Sequence, residues 1–377
     1  MLIILYIVMA VSLLLFIHPY VTYPLSLRLF RERSLQLGSG NRPTTASMLF
    51  CAYNEERSLP SKIDNLRQIK ALDGSVQMLA YSDFSTDGTL ALLQAEGDLL
   101  TAIGATRRTG KALGMRRLAS SADGDILIFT DANVLLEPTA IERLLSYFSD
   151  PTVGGVAGSL VYINPDESTT AMVGSAYWQL EESIKRLESR CGSIMGADGS
   201  IFATRRSLYP EVPGHLLDDF IVSISVTFAG YRLIHAGDVV AYERGATVSA
   251  DEFRRKRRIA CRAFNTHRHL WSTIRQTFGA GDLYKYLSHK LLRWFGLVPL
   301  TTGAASMAAA LSLLGLSWLA LLLGLGAVGG FWLGRLGVPV LGAGAELLLS
   351  ILATFLGIID SLRGKTYQTW APALSRA

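Results

Sequence analysis

The sequence predicts an α/β domain on a mostly parallel sheet with flanking helices, joined at both ends to membrane helices. In the middle of the chain, short β-like apolar runs alternate with helical patterns, the arrangement that builds parallel sheets through helical crossovers. Residues 1–27 contain no Asp, Glu, Lys or Arg, and neither do residues 294–334. Half of the 377 residues are apolar, 18% are charged and the mean hydropathy is +0.30, too apolar for one ordinary soluble globule. That balance excludes intrinsic disorder, collagen and a small disulfide scaffold. Cys51, Cys191 and Cys261 lie far apart with no metal-ligand spacing, so they read as reduced or buried thiols.

Taken in order, residues 1–27 are long enough to cross a hydrocarbon core of ~30 Å. Arg28, Arg31 and Arg33 follow the apolar run rather than precede it, the reverse of a cleaved signal peptide. The segment therefore reads as an uncleaved transmembrane anchor with the following residues cytoplasmic. Residues 45–245 form the cytosolic domain, with strands expected at 47–52, 76–81, 126–130 and 153–161. Helices are expected at 58–70, 87–96, 111–121 and 138–149. Residues 246–293 read as basic amphipathic or interfacial helices, with Trp294 as an interfacial anchor beyond Ser288 to Arg293.

The span 294–362 reads as membrane segments and 363–377 as a tail. As one helix, residues 294–334 would be ~60 Å long, twice the membrane core, so two crossings are expected with a break near Gly315 to Ser317. A third apolar segment, 339–359, is interrupted only by Glu346, a group that in an apolar segment calls for a polar or basic partner. Three crossings would leave Arg363, Lys365 and Arg376 outside, against the positive-inside preference. Either one segment is re-entrant or those charges do not decide the topology, and the sequence leaves both open.

The polar residues at the predicted strand ends carry the chemistry. The first strand runs into Ala52-Tyr53-Asn54-Glu55-Glu56, the second into Ser82-Asp83-Phe84-Ser85-Thr86-Asp87-Gly88-Thr89, and the third ends in Asp131-Ala132-Asn133. Successive carboxyl ends of parallel strands meet at one crevice. The alternative for each cluster is a turn or a helix N-cap, with Ser85 or Thr86 as capping candidates and Asp87 as a turn or capping residue. No G-x-G-x-x-G follows the first strand and no P-loop occurs, which argues against dinucleotide and Walker-type sites. His215, His235, His267 and His269 read as ordinary core or surface histidines.

With these motifs the chain resembles the inverting family-two glycosyltransferases, membrane enzymes of GT-A fold that use nucleotide-diphosphate sugars. The family's A-Y-N-E-E stands at Ala52 to Glu56. Its D-D-G-S-T-D-G-T appears as Ser82 to Thr89, altered at Ser82 and Phe84, and its D-x-D as Asp131-Ala132-Asn133. Gly196 to Ala203 resembles its acceptor-side segment, Leu217-Asp218-Asp219-Phe220 its catalytic-base segment, and Arg255-Lys256-Arg257-Arg258-Ile259 its Q-x-x-R-W. The resemblance implies donor contacts from Tyr53, Asn54, Glu55, Asp83 and Lys111, and an acceptor-side role for Asp198. It also implies a divalent cation, Mg²⁺ or Mn²⁺, on Asp131, with Asn133 offering a neutral oxygen where the family usually has a second carboxylate.

The chemistry fits those residue types. A departing diphosphate gains negative charge that a cation and guanidinium groups stabilise, a role for Arg258 and Arg255. Residues 253–268 hold seven Lys or Arg and no acid, equally consistent with a basic face on anionic lipid. The acceptor hydroxyl needs a general base, for which Asp219 is expected, with Asp218 beside it. Alternatively, both cap a helix beginning at Phe220. The expected function is sugar transfer from a nucleotide-diphosphate sugar to a saccharide acceptor in cell-surface or exopolysaccharide synthesis, at the cell membrane with the catalytic domain cytoplasmic. A single addition to a lipid or lipid-linked acceptor is the nearest alternative, and a catalytically inactive assembly partner is one of another class. Ile259 in place of the Trp argues against processive polymerisation and for separate export partners. Nucleic acid is not expected as a partner.

Overall fold

The computed structural model describes residues 1–38 and 45–369. Trp370 and Arg376 of the expected tail lie outside the described residues. Strand β1 (Ala46–Ala52) is buried at every position, as a strand covered on both faces must be. Its alternate side chains serve opposite cores: Met48 and Phe50 pack on one face of the sheet, Leu49 and Cys51 on the other. Strands β2 (Gln77–Ser82), β3 (Thr101–Gly104), β4 (Ile126–Asp131), β5 (Leu135–Leu136), β6 (Val153–Tyr162), β7 (Ile201–Arg205) and β8 (Arg232–Glu243) complete the sheet. The strand order is β3-β2-β1-β4-β7-β6-β8-β5. Pairing is parallel across β3-β2-β1-β4 and between β6 and β8, and antiparallel at both edges of β7 and at β5.

Helices α1 (Leu2–Ile17) and α2 (Thr22–Leu27) precede the sheet, and α3 (Leu59–Leu72), α4 (Thr89–Ala95), α5 (Lys111–Ser120) and α6 (Ala140–Tyr147) cross over between its strands. Parallel neighbours align their ends. Ala52 of β1 pairs with Ser82 of β2, and Cys51 pairs with Asp131 of β4. The three polar clusters therefore lie side by side at one edge of the sheet. Antiparallel β7 adds a fourth: Thr130 pairs with Ile201, and the Thr130 hydroxyl donates to the Ser200 carbonyl at 2.8 Å. That pairing carries Asp198 and Gly199 beside Asp131. Helix α7 (Thr169–Cys191) is capped by Ser168, which accepts from Ala171 N–H. Helices α8 (Asp218–Phe228) and α9 (Ser249–Thr277) close the crevice.

The ends depart from the expected pattern. No single helix runs over 1–27. α1 has 16 residues, and the chain turns at His18 and Pro19, where proline supplies no backbone donor. His18 bridges Thr22 (2.7 Å) and Ser288 (3.0 Å), and α2 buries Tyr23 and Leu27. The helix expected around 288–294 is a short relay of α10 (Ala280–Tyr286), a π-turn (Leu287–Leu291) and α11 (Leu292–Trp294). Trp294 is not a lipid anchor: it is buried edge-on to Phe264 and His267, whose rings complete an aromatic cluster.

After a 66° bend come α12 (Leu297–Leu313), α13 (Ser317–Arg335) and α14 (Pro339–Leu362). α13 and α14 are each long and apolar enough to cross a membrane. Glu346 finds its partner in Arg335 at 3.0 Å.

A buried ionic joint ties the segment that leads into the apolar C-terminal helices to the sheet. His289 holds Glu188 through Nδ1 (2.7 Å) and Glu181 through Nε2 (2.8 Å). Tyr23 donates to Glu188, and Arg293 donates to Glu181. His289→Ala leaves two buried carboxylates short of a partner, so unfolding in detergent should become easier by ~3–5 kcal/mol, read as a lowered Tm. A Tm equal to that of the unmodified chain would show that the joint is not stabilising.

Candidate active site

One cluster forms where α5, α8, β4 and the turn before β7 meet. Lys111, the first residue of α5, places Nζ 2.5 Å from Asp131 Oδ1 and 3.8 Å from Asp218 Oδ2. The Gly199 backbone passes alongside. A Cβ there would lie 2.9 Å from Lys111 Nζ and 3.4 Å from both Asp131 Oδ2 and Asp219 Oδ2. A residue without a side chain is what leaves this point open between the carboxylates.

Asp218 and Asp219 are themselves the first two residues of α8, which begins before Phe220. Successive residues on a helix point ~100° apart. Asp218 turns inward to Lys111 and to Arg262 at 3.5 Å. Asp219 Oδ1 accepts its neighbour Phe220 N–H at 2.6 Å, which leaves Oδ2 facing the point over Gly199.

Burial and the adjacent Asp218 carboxylate push the Asp219 pKa up to about 7, against the opposing pull of Lys111. Burial alone would lower Lys111, but Asp131, then Asp218 and Asp219, hold it protonated above the usual lysine value. On α9, burial and then the neighbouring Arg262 and Arg255 bring Arg258 down to about 10. Arg258 has no hydrogen bond or ion pair among the described residues, and both Asp218 and Asp131 attract it. Arg255 pairs with Glu252 at 3.5 Å.

The remaining sequence candidates lie around this cluster in supporting contacts. Asp83 is fully buried and accepts from Thr109 N (2.7 Å), Thr109 Oγ1 (2.9 Å), Gly110 N (3.0 Å) and Arg108 Nε (3.2 Å). The Arg108 guanidinium lies 3.2 Å from the centroid of the Tyr53 ring. Asn54, at φ +53°, exchanges hydrogen bonds with Thr86, and Glu55 N–H donates to Thr89 Oγ1 at 2.9 Å. The loops after β1 and β2 are thereby laced together. Helix α4 starts behind Gly88 with Asp87 accepting from Thr89 N–H, so Asp87 is the capping group, rather than Ser85 or Thr86. Asp198 is drawn inward by Lys185 at 2.7 Å and by Ser200.

Two contributors escape sequence reasoning. Lys62, buried under β4, donates to the Val134 carbonyl at 2.7 Å and fixes the loop after Asp131. Burial brings its pKa to about 7. Gln368 reaches back across 259 positions to donate to the Thr109 carbonyl at 3.0 Å. Its own carbonyl lies where a Cβ on Gly110 would be, and Gly110 has φ +87°. No local pattern signals either contact.

The donor set suits a hard divalent cation. Asp131 is partly exposed, with Oδ1 engaged by Lys111 Nζ and Oδ2 beside the open point at Gly199. Asn133 directs its Nδ2 to Glu243 Oε1 at 3.0 Å, which leaves its carbonyl oxygen as an acceptor. No group of three His, Cys, Asp or Glu side chains forms a cage among the described residues. Ligands beyond Asp131 would therefore come from water and phosphate oxygens, as Mg²⁺ and Mn²⁺ sites commonly arrange.

Comparison with known proteins finds a likeness over the part of the chain that holds Lys111, Asp131 and Gly199. Residues 47–212 match the Glycosyl transferase family 2 model. An N-acetylglucosaminyltransferase of Azorhizobium caulinodans is 24% identical over 208 residues, covering 50% of this chain and 52% of that protein. An O-antigen chain rhamnosyltransferase of Salmonella typhimurium is 26% identical over 154 residues, covering 38% and 49%. The chain thus spans about half the length of the curated relatives it matches. A mannosyltransferase from Pyrobaculum calidifontis, solved with GDP-Man and Mn²⁺, shares the fold at TM-score 0.73 and 21% identity, over 96% of this chain and 99% of that one.

Two outcomes follow from the geometry. If Asp219 must be ionised to accept a proton, kcat/KM should rise with pH through about 7 and level off above it. A profile flat from pH 5 to pH 9 would remove Asp219 from that role. Gln368→Ala removes one hydrogen bond from the Thr109 loop, so if that loop borders a nucleotide-sugar site the KM for the sugar nucleotide should rise by ~3- to 10-fold with kcat little changed. An unchanged KM would separate Gln368 from the donor side.

Proposed function

We propose, on the match of residues 47–212 to the Glycosyl transferase family 2 model, that the chain is a membrane-bound inverting glycosyltransferase. It moves a sugar from a nucleotide-diphosphate sugar to a saccharide acceptor in cell-surface or exopolysaccharide synthesis, at the cell membrane with its catalytic domain in the cytoplasm. The observation that supports this most is the convergence of Lys111, Asp131, Asp218 and Asp219 on one open point at the strand ends.

Asp219 takes the proton of the acceptor hydroxyl as that oxygen attacks the anomeric carbon. Its raised pKa suits a base working near neutrality. The attack comes from the side opposite the leaving diphosphate, so the anomeric centre inverts in one step and no covalent nucleophile is required. Arg258 and Arg255 neutralise the charge that develops on the diphosphate, and a guanidinium fork suits phosphate oxygens. Asp131, with Asn133, would hold Mg²⁺ or Mn²⁺, which supplies Lewis-acid stabilisation of the same charge when bound. Lys111 holds Asp131 and Asp218 in place through its ion pairs with them. Asp83, Tyr53, Asn54 and Glu55 shape the wall on which the nucleotide rests, and Asp198 steadies the acceptor side.

A second reading, single addition to a lipid-linked acceptor, draws support from α9, which carries Arg255 and Arg258 and packs directly on the apolar helix α14.

The test is purified protein in detergent with a panel of UDP- and GDP-sugars, with nucleotide diphosphate release measured with and without a chelator. Asp219→Asn should lower release by ~10²- to 10⁴-fold while donor binding stays near that of the unmodified chain. If no nucleotide sugar gives release, or if Asp219→Asn is fully active, the proposal fails.

A further inference from the structure

We infer that α14 does not cross the bilayer: it lies in the membrane interface, one face on α9 and the other on lipid, and the chain after it stays on the side of the catalytic domain. The inference rests on the membrane reading proposed above. By length and composition alone α14 is a crossing, with 24 residues and a hydropathy of 1.9. Its contacts point elsewhere.

The C-terminal half of α14 runs beside α9, with contacts from Ser350 to Ser361. Lys256 Nζ donates to Ser350 Oγ at 2.7 Å, Arg257 grips Asp360 at 2.6 and 2.9 Å, and Ser361 donates to Asn265 Oδ1 at 2.6 Å. Gly357 packs so closely on the Arg257 carbonyl that a Cβ would collide with it. The partner helix belongs to the catalytic domain: its Phe264 is part of the core under the sheet. It also carries seven Lys or Arg between 253 and 268. Charged side chains at the bilayer centre are strongly unfavourable, so a helix fastened along such a partner stays at headgroup depth.

The parity of crossings agrees with this arrangement. The chain leaves the catalytic domain after Trp294, and it is back on that domain when the Lys365 carbonyl accepts from Asn265 Nδ2 at 2.9 Å and Gln368 meets Thr109. The number of crossings in between must be even. α12, taken with the bent segment before it, and α13 supply two, and α13 is mostly exposed until Gly334 meets Leu341 of α14. A pair made of α13 and α14 would also be even, so the contacts of α14 with α9 decide between the two. Arg363 and Lys365 then lie on the same side as the basic face of α9, which removes the conflict with the positive-inside preference.

The free face of α14 commits it to lipid. Leu347 and Leu348 are 50% and 44% exposed, while Ala353 and Ile358 are buried against the protein. This is the two-sided character of an interfacial helix, and through α13 it is continuous with the membrane hairpin. α9 is thereby held just under the headgroups, and the arginines beside the catalytic cluster open at the membrane surface.

The experiment uses the full chain in vesicles of phosphatidylcholine and phosphatidylglycerol. Its three cysteines are buried, so the unmodified chain serves as the labelling background. A nitroxide on Leu348→Cys should be several-fold more accessible to a water-soluble relaxation agent than one on Leu322→Cys in α13. An impermeant maleimide should label Thr366→Cys from the same side as Ala71→Cys, and Leu314→Cys from the other. In floated protein, equal depth at Leu348 and Leu322, or Thr366 labelled together with Leu314, would overturn this inference alone. Failure of the unmodified chain to float with the vesicles would overturn the membrane reading and the inference with it.

Discussion

The ammonium of Lys111 sits among three carboxylates at the end of the sheet, and the surrounding architecture serves to keep it there. Two like charges 4 Å apart repel by ~4 kcal/mol at an effective dielectric of 20, so Asp131, Asp218 and Asp219 could not share a partly buried corner without a counter-charge. Lys111 reaches that corner because Gly110 turns the chain at φ +87° before α5, with Asp83 accepting the Gly110 amide. Asp131 reaches it at the end of a buried strand. Asp218 and Asp219 reach it from the first turn of α8. Gly199 leaves the space in the middle. Asp219 is the member left least compensated, and its raised pKa follows from that position.

How much of this was legible depended on the range of the contacts. The first four predicted strands fall within one residue of those observed at 46–52, 77–82, 126–131 and 153–162, because continuous apolar runs between turn residues signal buried strands locally. The order of the polar strand ends, the break between 314 and 316, and the pairing demanded by Glu346 were legible for similar reasons. β3, β5, β7 and β8 were not: β3 and β5 are short edge strands, and the places of β7 and β8 are set by antiparallel and distant partners. The N-terminal run looked like one crossing by composition, yet His18 and Pro19 end the helix. Trp294 looked like an interfacial anchor, yet the His267–Phe264 aromatic cluster takes it inward. The engagement of Asp83 with the Thr109 loop, and of that loop with Gln368, is invisible to any window shorter than the chain.

The polar joint at His289 and the contact between α9 and α14 link the apolar ends to the chemistry. α7 carries Glu181 and Glu188 toward the membrane end and Lys185 toward Asp198, so one helix spans from the ionic joint to the turn over the catalytic point. α9 does the same on the other side, packing on α14 along one face and presenting Arg258 to the cluster along another. The site is thus braced by the elements that carry the apolar ends of the chain, and a displacement of those elements would be felt at Gly199 and Arg258.

The most direct test of this account is the pH profile of nucleotide diphosphate release in Lys111→Met, whose side chain keeps most of the lysine volume without the charge. Without the ammonium, Asp219 should hold its proton more tightly. The midpoint of the profile should then move upward from about 7, and turnover at neutral pH should fall by ~10²-fold, the scale of losing a general base. A variant with the midpoint and turnover of the unmodified chain would contradict the claim that Lys111 organises the site.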